Sequence, residues 1–361
     1  MSEKPKSGGA AEIELLLREL RQLPEAGHKM LDLATALANR GHLEAAALAE
    51  LTALNLCDSA VTHRWRRMQA RRAPANQFLL INDATRTEAF RKAFADRVPP
   101  GALVLEIGTG SGILAILAAQ AGARQVVSCE RQALMARVAQ TIIQDNQLED
   151  KITVVAKDIH ALELGQDLPD KANVLVADLF TGTLLEAGGL PLIQHARKTL
   201  VRTDAVVIPA TATLRGRLVG GEQLERLCRA NYADGIALPR FNLFSPPVLQ
   251  ILPERFANLE YQTMSDVHDC FHFNFNTLQG FHPRRGHLTI RATAPGRVTG
   301  FLQWLRLELS PGNVMESDEC AKTTWSRYLH VFPQSIKVES GQNLHLHIDH
   351  DCNSLSIWPE N

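Results

Sequence analysis

The segment VLEIGTGSGILA, residues 104–115, constrains the fold of this chain more than any other stretch of its sequence. A run of strand-forming residues is followed by Gly108, Gly110 and Gly112, and then by the helix-forming run ILAILAAQAGA. This order predicts a strand, a tight turn and the N-terminus of a helix. Because glycine tolerates positive φ and has no Cβ, a charged small molecule can approach backbone amides at the positive end of the helix dipole. The segment therefore predicts a nucleotide-type cofactor site.

The residues around this turn discriminate between cofactors. The dinucleotide fingerprint GxGxxG requires glycine at position 113, where this chain has Ile113. Glu106 lies in the predicted strand, where a carboxylate would repel a pyrophosphate but attract the ammonium and sulfonium groups of S-adenosylmethionine. Glu130 ends the next apolar run, VVSCE, and can accept both hydroxyls of a ribose. These residues favour S-adenosylmethionine over NAD; the alternative is a tight strand-to-helix connection without a ligand.

The composition is that of an ordinary globular protein. The chain has 361 residues, of which 45% are hydrophobic, and its 38 basic and 39 acidic residues nearly balance. This balance gives no indication of direct binding to nucleic acid or to a membrane. The polar start MSEKPKSGGAAE lacks the apolar core of a signal peptide, and the six cysteines include no CxxC pair. We therefore expect a cytoplasmic protein with reduced thiols.

Three regions follow one another along the chain. Residues 1–75 are predicted to be a helical extension with Gly41 as a helix C-cap, either a tetratricopeptide-like hairpin or a helical cap on the next domain. The basic run RWRRMQARR, residues 64–72, is interpreted as the solvated end of the last of these helices. Residues 209–361 show short alternating segments broken by proline and glycine, which predict an antiparallel, β-barrel-like substrate domain.

Residues 76–208 alternate apolar strand candidates with helical stretches. The candidates are ALVLEIG, QVVSCE, ITVVAKD, ANVLVADLF and AVVIPA. The alternation predicts an α/β fold with a doubly wound parallel sheet. Together with the residues that favour S-adenosylmethionine, this indicates the Rossmann-like class I methyltransferase fold. Ligands of such sheets lie outside the carboxyl ends of the strands, so four residues that end strands are expected to line one crevice: Gly108, Glu130, Asp158 and Asp178.

A set of segments occurs in a characteristic order along residues 76–361. They are INDATRTEAF, VLEIGTGSGILA, the acidic end of VVSCE, ADLFTGTLLEAGGLPLIQHA, IPATATLRGRLV and TTWSRY. Together they resemble the protein arginine N-methyltransferases. Two further segments, NYADGIALPRFNLFSPP and LHLHIDHDCNSLSIW, are most similar to the branch that makes only monomethylarginine. The helical N-terminus resembles the tetratricopeptide extension of another member of that family.

The resemblance implies a cofactor-binding set on the positions that match the family. Arg86 would hold the carboxylate of S-adenosylmethionine, for which a guanidinium offers two parallel donors. The glycine turn would hold the methionine portion and Glu130 the ribose. His160, with Asp158 close by, would lie beside the adenine. The full set is Arg86, Glu106, Gly108, Gly110, Glu130, Asp158 and His160.

Two acids are predicted to act on the acceptor. A guanidinium is a poor nucleophile because its lone pairs are delocalised, and two carboxylates can localise its charge and orient one nitrogen for in-line displacement. The catalytic pair is predicted to be Asp178 and Glu186. The family has glutamate at the first position, and its second acid falls one residue later, at Ala187. In an extended segment a one-residue shift turns a side chain to the other face, so Glu186 reaches the second position only if the turn at Gly188 and Gly189 is re-registered.

The Thr-His-Trp loop of the family is also altered. Thr324 stands where the histidine is expected, and Trp325 is retained as a substrate-binding residue. We expect the missing histidine to remove a possible proton acceptor and a partner for the N-terminal helix. Nearby, His345, His347 and His350 lie close together, but no supporting carboxylate or cysteine spacing accompanies them, so they are interpreted as surface residues of a strand and no metal is predicted.

The sequence thus predicts an S-adenosylmethionine-dependent arginine N-methyltransferase. The favoured acceptor is arginine in a protein or peptide, with monomethylation as the outcome. One alternative is free arginine or another small guanidino or amino metabolite; a second is a catalytically eroded scaffold that keeps the cofactor site. The segment 220–250 lies where the family has a dimerisation arm, which predicts a homodimer.

Overall fold

The structure is a computed structural model that describes residues 9–56, 58–69, 77–180, 182–186, 188–277, 280–318 and 324–360. Its N-terminal part is a small helical bundle. The four helices are α1 (Gly9–Leu20), α2 (Ala26–Asn39), α3 (Leu43–Leu54) and α4 (Ser59–Gln69). Helices α2 and α3 form a hairpin that turns at Gly41, where φ is +82°, so the predicted helix end is confirmed. Nothing in the bundle tests its likeness to a tetratricopeptide repeat.

The basic run of residues 64–72 lies at the end of the last helix of the bundle, as predicted, with Arg66 and Arg67 exposed. Its first six residues belong to α4, a separate helix that starts at Ser59 after a break. Val61 of this helix is buried in the core of the bundle, and Trp65 donates a hydrogen bond from Nε1 to Glu50 at 2.9 Å. The helix therefore packs as a fourth member of the bundle rather than extending α3; residues 70–72 lie outside the described residues.

The central part is an α/β unit that confirms the predicted sheet. Helices α5 (Gln77–Ile81) and α6 (Ala84–Arg97) precede a parallel sheet with the order β3-β2-β1-β4-β5. Its strands are β1 (Leu103–Ile107), β2 (Gln125–Cys129), β3 (Ile152–Val155), β4 (Ala172–Ala177) and β5 (Val201–Ile208). The intervening helices are α7 (Ile113–Gln120), α8 (Ala133–Asp145) and α9 (Gly189–Thr199). Helix α3 of the bundle packs on α8.

The order of this sheet determines where a ligand can bind. The chain winds outward from β1 through β2 to β3, and then crosses back to place β4 on the other side of β1. The crevice at such a reversal lies outside the carboxyl ends of the two strands that flank it. In this chain those ends are followed by the glycine turn and by Asp178.

The C-terminal part confirms the predicted antiparallel β unit. A seven-stranded sheet has the path β10-β6-β13-β15-β9, with β11 paired to β6 and β14 to β13. Its strands are β6 (Thr211–Gly220), β9 (Val248–Ile251), β10 (Gln262–Thr263), β11 (His268–Asn274), β13 (Gly296–Ser310), β14 (Asn313–Glu316) and β15 (Arg327–Val338). A second sheet has the order β12-β16-β17, formed by β12 (Arg284–Arg291), β16 (Asn343–His350) and β17 (Leu355–Pro359).

Both antiparallel sheets share an apolar core with the α/β unit. Between β6 and β10, the chain forms helix α10 (Glu222–Cys228), the two-residue strands β7 (Tyr232–Ala233) and β8 (Ile236–Ala237), strand β9 and the short helix α11 (Pro253–Phe256). Among the described residues, every helix is too short or too polar to cross a membrane.

Candidate cofactor and acceptor site

The glycine turn after β1 has the backbone geometry that its sequence predicts. Gly108 and Gly110 have φ of +84° and +53°, a region that residues with a Cβ rarely adopt. A Cβ at Gly108 would lie 2.8 Å from Leu179 in the loop after β4. Glu130 accepts a hydrogen bond from the amide of Gly110 at 3.3 Å and another from Gln132 at 2.9 Å. The turn and the acid predicted to hold a ribose therefore lie side by side.

Glu106 is buried beneath this turn. The hydroxyl of Ser128 donates to its Oε2 at 2.5 Å, while its Oε1 has no hydrogen-bond partner among the residues that the structure describes. Burial raises the pKa of Glu106 to about 8, and the Ser128 hydrogen bond opposes that rise. A buried acceptor without a donor is costly, and a cationic ammonium would satisfy it. This orphaned oxygen fits the methionine end of S-adenosylmethionine.

Asp158 and His160 lie at the carboxyl end of β3, as predicted. Asp158 caps a short 3-10 helix, Ile159–Ala161, and accepts hydrogen bonds from the backbone amide of His160 at 3.0 Å and from its Nδ1 at 2.7 Å. These bonds from the backbone and side chain of His160 lower the pKa of Asp158. The His160 ring lies 4.4 Å from the ring of His195 on α9. The pair presents flat rings at this edge of the sheet, where the adenine is predicted.

Arg86 and Asp178 contact each other directly. Each side chain is only 8% exposed, and the guanidinium binds Asp178 through Nε, at 2.6 Å, and through Nη2. The Arg86 guanidinium also lies 5.4 Å from the ring centre of Phe90. Both described contacts use Oδ2 of Asp178. The structure therefore brings together the residue predicted to hold the cofactor carboxylate and the residue predicted to hold the acceptor.

The loop after β4 is held in place by the antiparallel sheet. The carbonyl of Gly182 accepts a hydrogen bond from Gln303 of β13 at 2.9 Å. A Cβ at Gly182 would lie 2.2 Å from the carbonyl oxygen of Ser326, so only glycine fits there. Leu184 is fully buried and has a φ of +66°, a strained conformation that persists only where the surroundings hold it. Glu186, in contrast, is exposed.

The loop carries Glu186, the second predicted acid. Among the described residues, no contact joins Glu186 to Asp178. The backbone amide of Glu186 donates to the Thr183 hydroxyl at 3.4 Å. Ala187, which stands at the family position of the second acid, lies outside the described residues. The catalytic role of Glu186 stays a prediction.

Thr324, in the altered loop near the C-terminus, contacts the start of α6. Its hydroxyl donates to Oδ2 of Asp83 at 3.3 Å, and Oδ1 of Asp83 caps α6 by accepting from the amide of Arg86 at 2.9 Å. The threonine hydroxyl therefore links this loop to the start of α6, and the expected loss of a partner for the N-terminal helix stays a prediction. Trp325 beside it is buried, with 5% of its surface exposed. Its predicted contact with substrate is untested.

Three residues of the site escaped the sequence analysis: Asp83, Ser128 and Gln303. Asp83 could have been found, because an aspartate three residues before Arg86 at the start of a predicted helix is a typical N-cap. Ser128 and Gln303 carry no such signal. Their roles depend on partners 22 and 121 residues away in the sequence.

The strand order, the glycine turn and the buried acid beneath it define an S-adenosylmethionine-dependent methyltransferase. The family model described as ribosomal protein L11 methyltransferase (PrmA) matches residues 87–208. That match covers the cofactor-binding unit and says nothing about the acceptor.

Two relatives match longer stretches of the chain. The chain is 29% identical over 346 residues to an arginine N(omega)-methyltransferase of Streptomyces achromogenes subsp. streptozoticus, which covers 94% of this chain and 88% of the relative. It is 27% identical over 300 residues to protein arginine N-methyltransferase 7 of Drosophila yakuba, covering 71% of this chain and 42% of that protein. The chain thus spans less than half the length of the arginine N-methyltransferase 7 relative.

A solved structure shares the fold. It is the PRMT1 enzyme-prozyme heterotetrameric complex with AdoHcy of Trypanosoma brucei, with a TM-score of 0.65, 21% sequence identity, and coverage of 77% of this chain and 89% of that chain. The curated relatives of this chain are therefore arginine N-methyltransferases.

Proposed function

We propose that this enzyme transfers one methyl group from S-adenosylmethionine to a guanidino nitrogen of arginine in a protein or peptide. The observation that carries the proposal is the position of Asp178. It lies at the carboxyl end of β4, beside the glycine turn, and already binds the guanidinium of Arg86 through Oδ2. We assign Oδ1 of the same carboxylate to the guanidinium of the acceptor.

The residues of the chain divide between holding the cofactor and preparing the acceptor. When bound, S-adenosylmethionine supplies an electrophilic methyl group on its sulfonium. Arg86, the glycine turn and Glu130 would hold its carboxylate, methionine backbone and ribose. Asp178 localises the positive charge of the acceptor guanidinium and orients one nitrogen toward the methyl group. The proton that the product loses passes to a carboxylate or to water.

A specific observation favours free arginine as a second candidate acceptor. The relative that matches 94% of this chain is named for arginine, whereas the relatives named for protein arginine match over less than half of their own length. Parallel assays with free arginine and with an arginine-containing peptide separate the two candidates. Transfer to the peptide supports the proposal, and transfer to free arginine alone would replace it with the second candidate.

Replacing Asp178 tests the catalytic assignment. Asp178→Asn keeps an oxygen that can accept a hydrogen bond from Arg86 but removes the negative charge that the acceptor needs. We expect kcat to fall by about 100-fold or more, the size of effect seen when a residue that stabilises transition-state charge is lost. We expect the dissociation constant of the cofactor to stay nearly unchanged.

Glu186→Gln is the matched variant for the second acid. A comparable loss of kcat would support Glu186 as the partner of Asp178 on the acceptor. A rate equal to that of the unmodified enzyme would remove Glu186 from the mechanism, and an unaltered rate in Asp178→Asn would remove Asp178.

We further propose a cytoplasmic homodimer, assembled through the segment 220–250. Several large apolar side chains of this segment are exposed, among them Leu243 at 87% and Phe244 at 76%. Soluble proteins seldom expose such residues next to one another unless a partner covers them. The solved structure that shares the fold is a heterotetrameric complex. It supports assembly of this chain into an oligomer but does not specify a homodimer.

A further inference from the structure

The outer face of the β12-β16-β17 sheet carries a row of imidazole and carboxylate groups. His287 of β12 lies directly opposite His347 of β16, and His347 lies opposite Trp358 of β17. Glu360 follows β17, and its backbone amide bonds to the carbonyl of His345 at 2.8 Å. Two adjacent strands and the residue after a third therefore place these side chains on one patch of surface.

The side chains of this patch lie close enough together to share one ion. Nδ1 of His287 lies 2.7 Å from Oε1 of Glu360, and the rings of His287 and His347 are 4.7 Å apart between centres. One ligand atom from each of the three side chains lies within 4.8 Å of the others. Zinc bonds to nitrogen and oxygen at about 2.0–2.2 Å, which places two tetrahedral ligand atoms roughly 3.3 Å apart. The 2.7 Å pair of His287 and Glu360 must therefore open slightly, and any pair near the 4.8 Å limit must close. Small rotations of exposed side chains provide that movement.

We propose that His287, His347 and Glu360 bind a divalent first-row transition metal ion, with Zn²⁺, Ni²⁺ and Cu²⁺ as the fitting class. Two imidazoles and one carboxylate suit these ions, whereas Mg²⁺ and Ca²⁺ require a shell of oxygens. Because the ligands come from β12, β16 and the residue after β17, the bound ion would cross-link the three strands. This site is on a different sheet from the cofactor residues and is independent of the proposed methyl transfer.

Neighbouring side chains favour this set over the other histidines of β16. His347 stacks on Trp358 with ring centres 5.3 Å apart and planes at 21°, which fixes the orientation of its imidazole. His345 instead pairs through Nδ1 with the Thr289 hydroxyl at 3.0 Å. His350 points into the core and is only 4% exposed. The three histidines of β16 that the sequence places close together are therefore not the ligand set. Only His347 belongs to it, and its two partners, His287 and Glu360, lie outside β16.

Titration calorimetry of the full chain, free of any affinity tag, tests the proposal with ZnCl₂ as the probe. We expect one saturable equivalent of Zn²⁺ to bind and to raise Tm, because an ion that binds only the folded state stabilises it. MgCl₂ at the same concentration should do neither. His287→Gln, His347→Gln and Glu360→Gln should each weaken Zn²⁺ binding by about 10-fold or more, at least the loss that follows removal of an outer-shell partner.

His345→Gln is the matched control, since His345 lies on the same face but outside the set. It should leave both the affinity and the Tm increase unchanged. The proposal is overturned if Zn²⁺ shows no saturable binding, or if His345→Gln weakens binding as much as His287→Gln does. A second readout does not depend on stability: Ni²⁺ should quench the fluorescence of Trp358, and the quenching should disappear in His347→Gln.

Discussion

At the scale of single residues, Glu106 couples the cofactor site to pH. Its pKa is raised to about 8 by burial, whereas a glutamate in an unfolded chain has a pKa of about 4.3. Between these two values the folded protein binds one more proton than the unfolded chain, so the free energy of unfolding falls as pH rises. The stabilising contribution is complete below about pH 4.3 and is lost above about pH 8.

Glu106→Gln removes this dependence while keeping the shape of the side chain. Without cofactor, we expect the free energy of unfolding of the variant to exceed that of the unmodified enzyme by an amount that grows between about pH 5 and about pH 8. Urea unfolding at several pH values measures the difference. Parallel curves across this range would show that Glu106 is ionised in the folded protein.

Cofactor binding should also change the protonation of Glu106. If its Oε1 receives the ammonium of S-adenosylmethionine, the bound state favours the carboxylate, and binding near pH 7 should release close to one proton. Calorimetry in buffers of different ionisation enthalpy counts the released protons. Glu106→Gln should lose most of that release; an identical release in both proteins would place the cofactor ammonium elsewhere.

At the scale of elements, the loop after β4 depends on the antiparallel sheet for its shape. Gly182→Ala should force the loop away from Ser326, because the added Cβ would lie 2.2 Å from a backbone carbonyl. We expect kcat to fall while cofactor affinity is retained, because the glycine turn is untouched. Gly286→Ala is the control: its Cβ meets only a flexible Ile348 side chain, at 3.3 Å. A normal kcat in Gly182→Ala would show that the loop shape does not govern catalysis.

The same loop shows where prediction from sequence ends. The five parallel strands could be predicted because strands covered on both faces are short apolar runs bounded by turns. Strand β15 could not, because RYLHVFPQSIKV contains Pro333 and mixes polar with apolar residues. The orientation of Glu186 could not be predicted either, since the loop is shaped by Gln303, 121 residues after Gly182. Local sequence patterns indicate the glycine turn and its strands. Contacts between segments far apart in the sequence shape the loop that carries the predicted acceptor residue Glu186.

At the scale of the whole molecule, the exposed apolar side chains of segment 220–250 support the proposed homodimer. Leu243→Asp combined with Phe244→Asp places two charges on the exposed apolar surface, and we expect the homodimer to dissociate into monomers in sedimentation experiments. Leu164→Asp alters a residue that is 44% exposed outside this segment and should leave the dimer intact. An unmodified chain that sediments as a monomer would contradict the proposed dimer, as would a double variant that remains dimeric.

Transfer of a methyl group to a guanidino nitrogen can be measured directly. The enzyme is incubated with labelled S-adenosylmethionine and, separately, with an arginine-containing peptide, the matching lysine peptide and free arginine; mass spectrometry then locates the label. We expect a single methyl group on the arginine side chain and none on lysine. Bound cofactor with no transfer to arginine, in the peptide or free, would contradict the proposed methyl transfer.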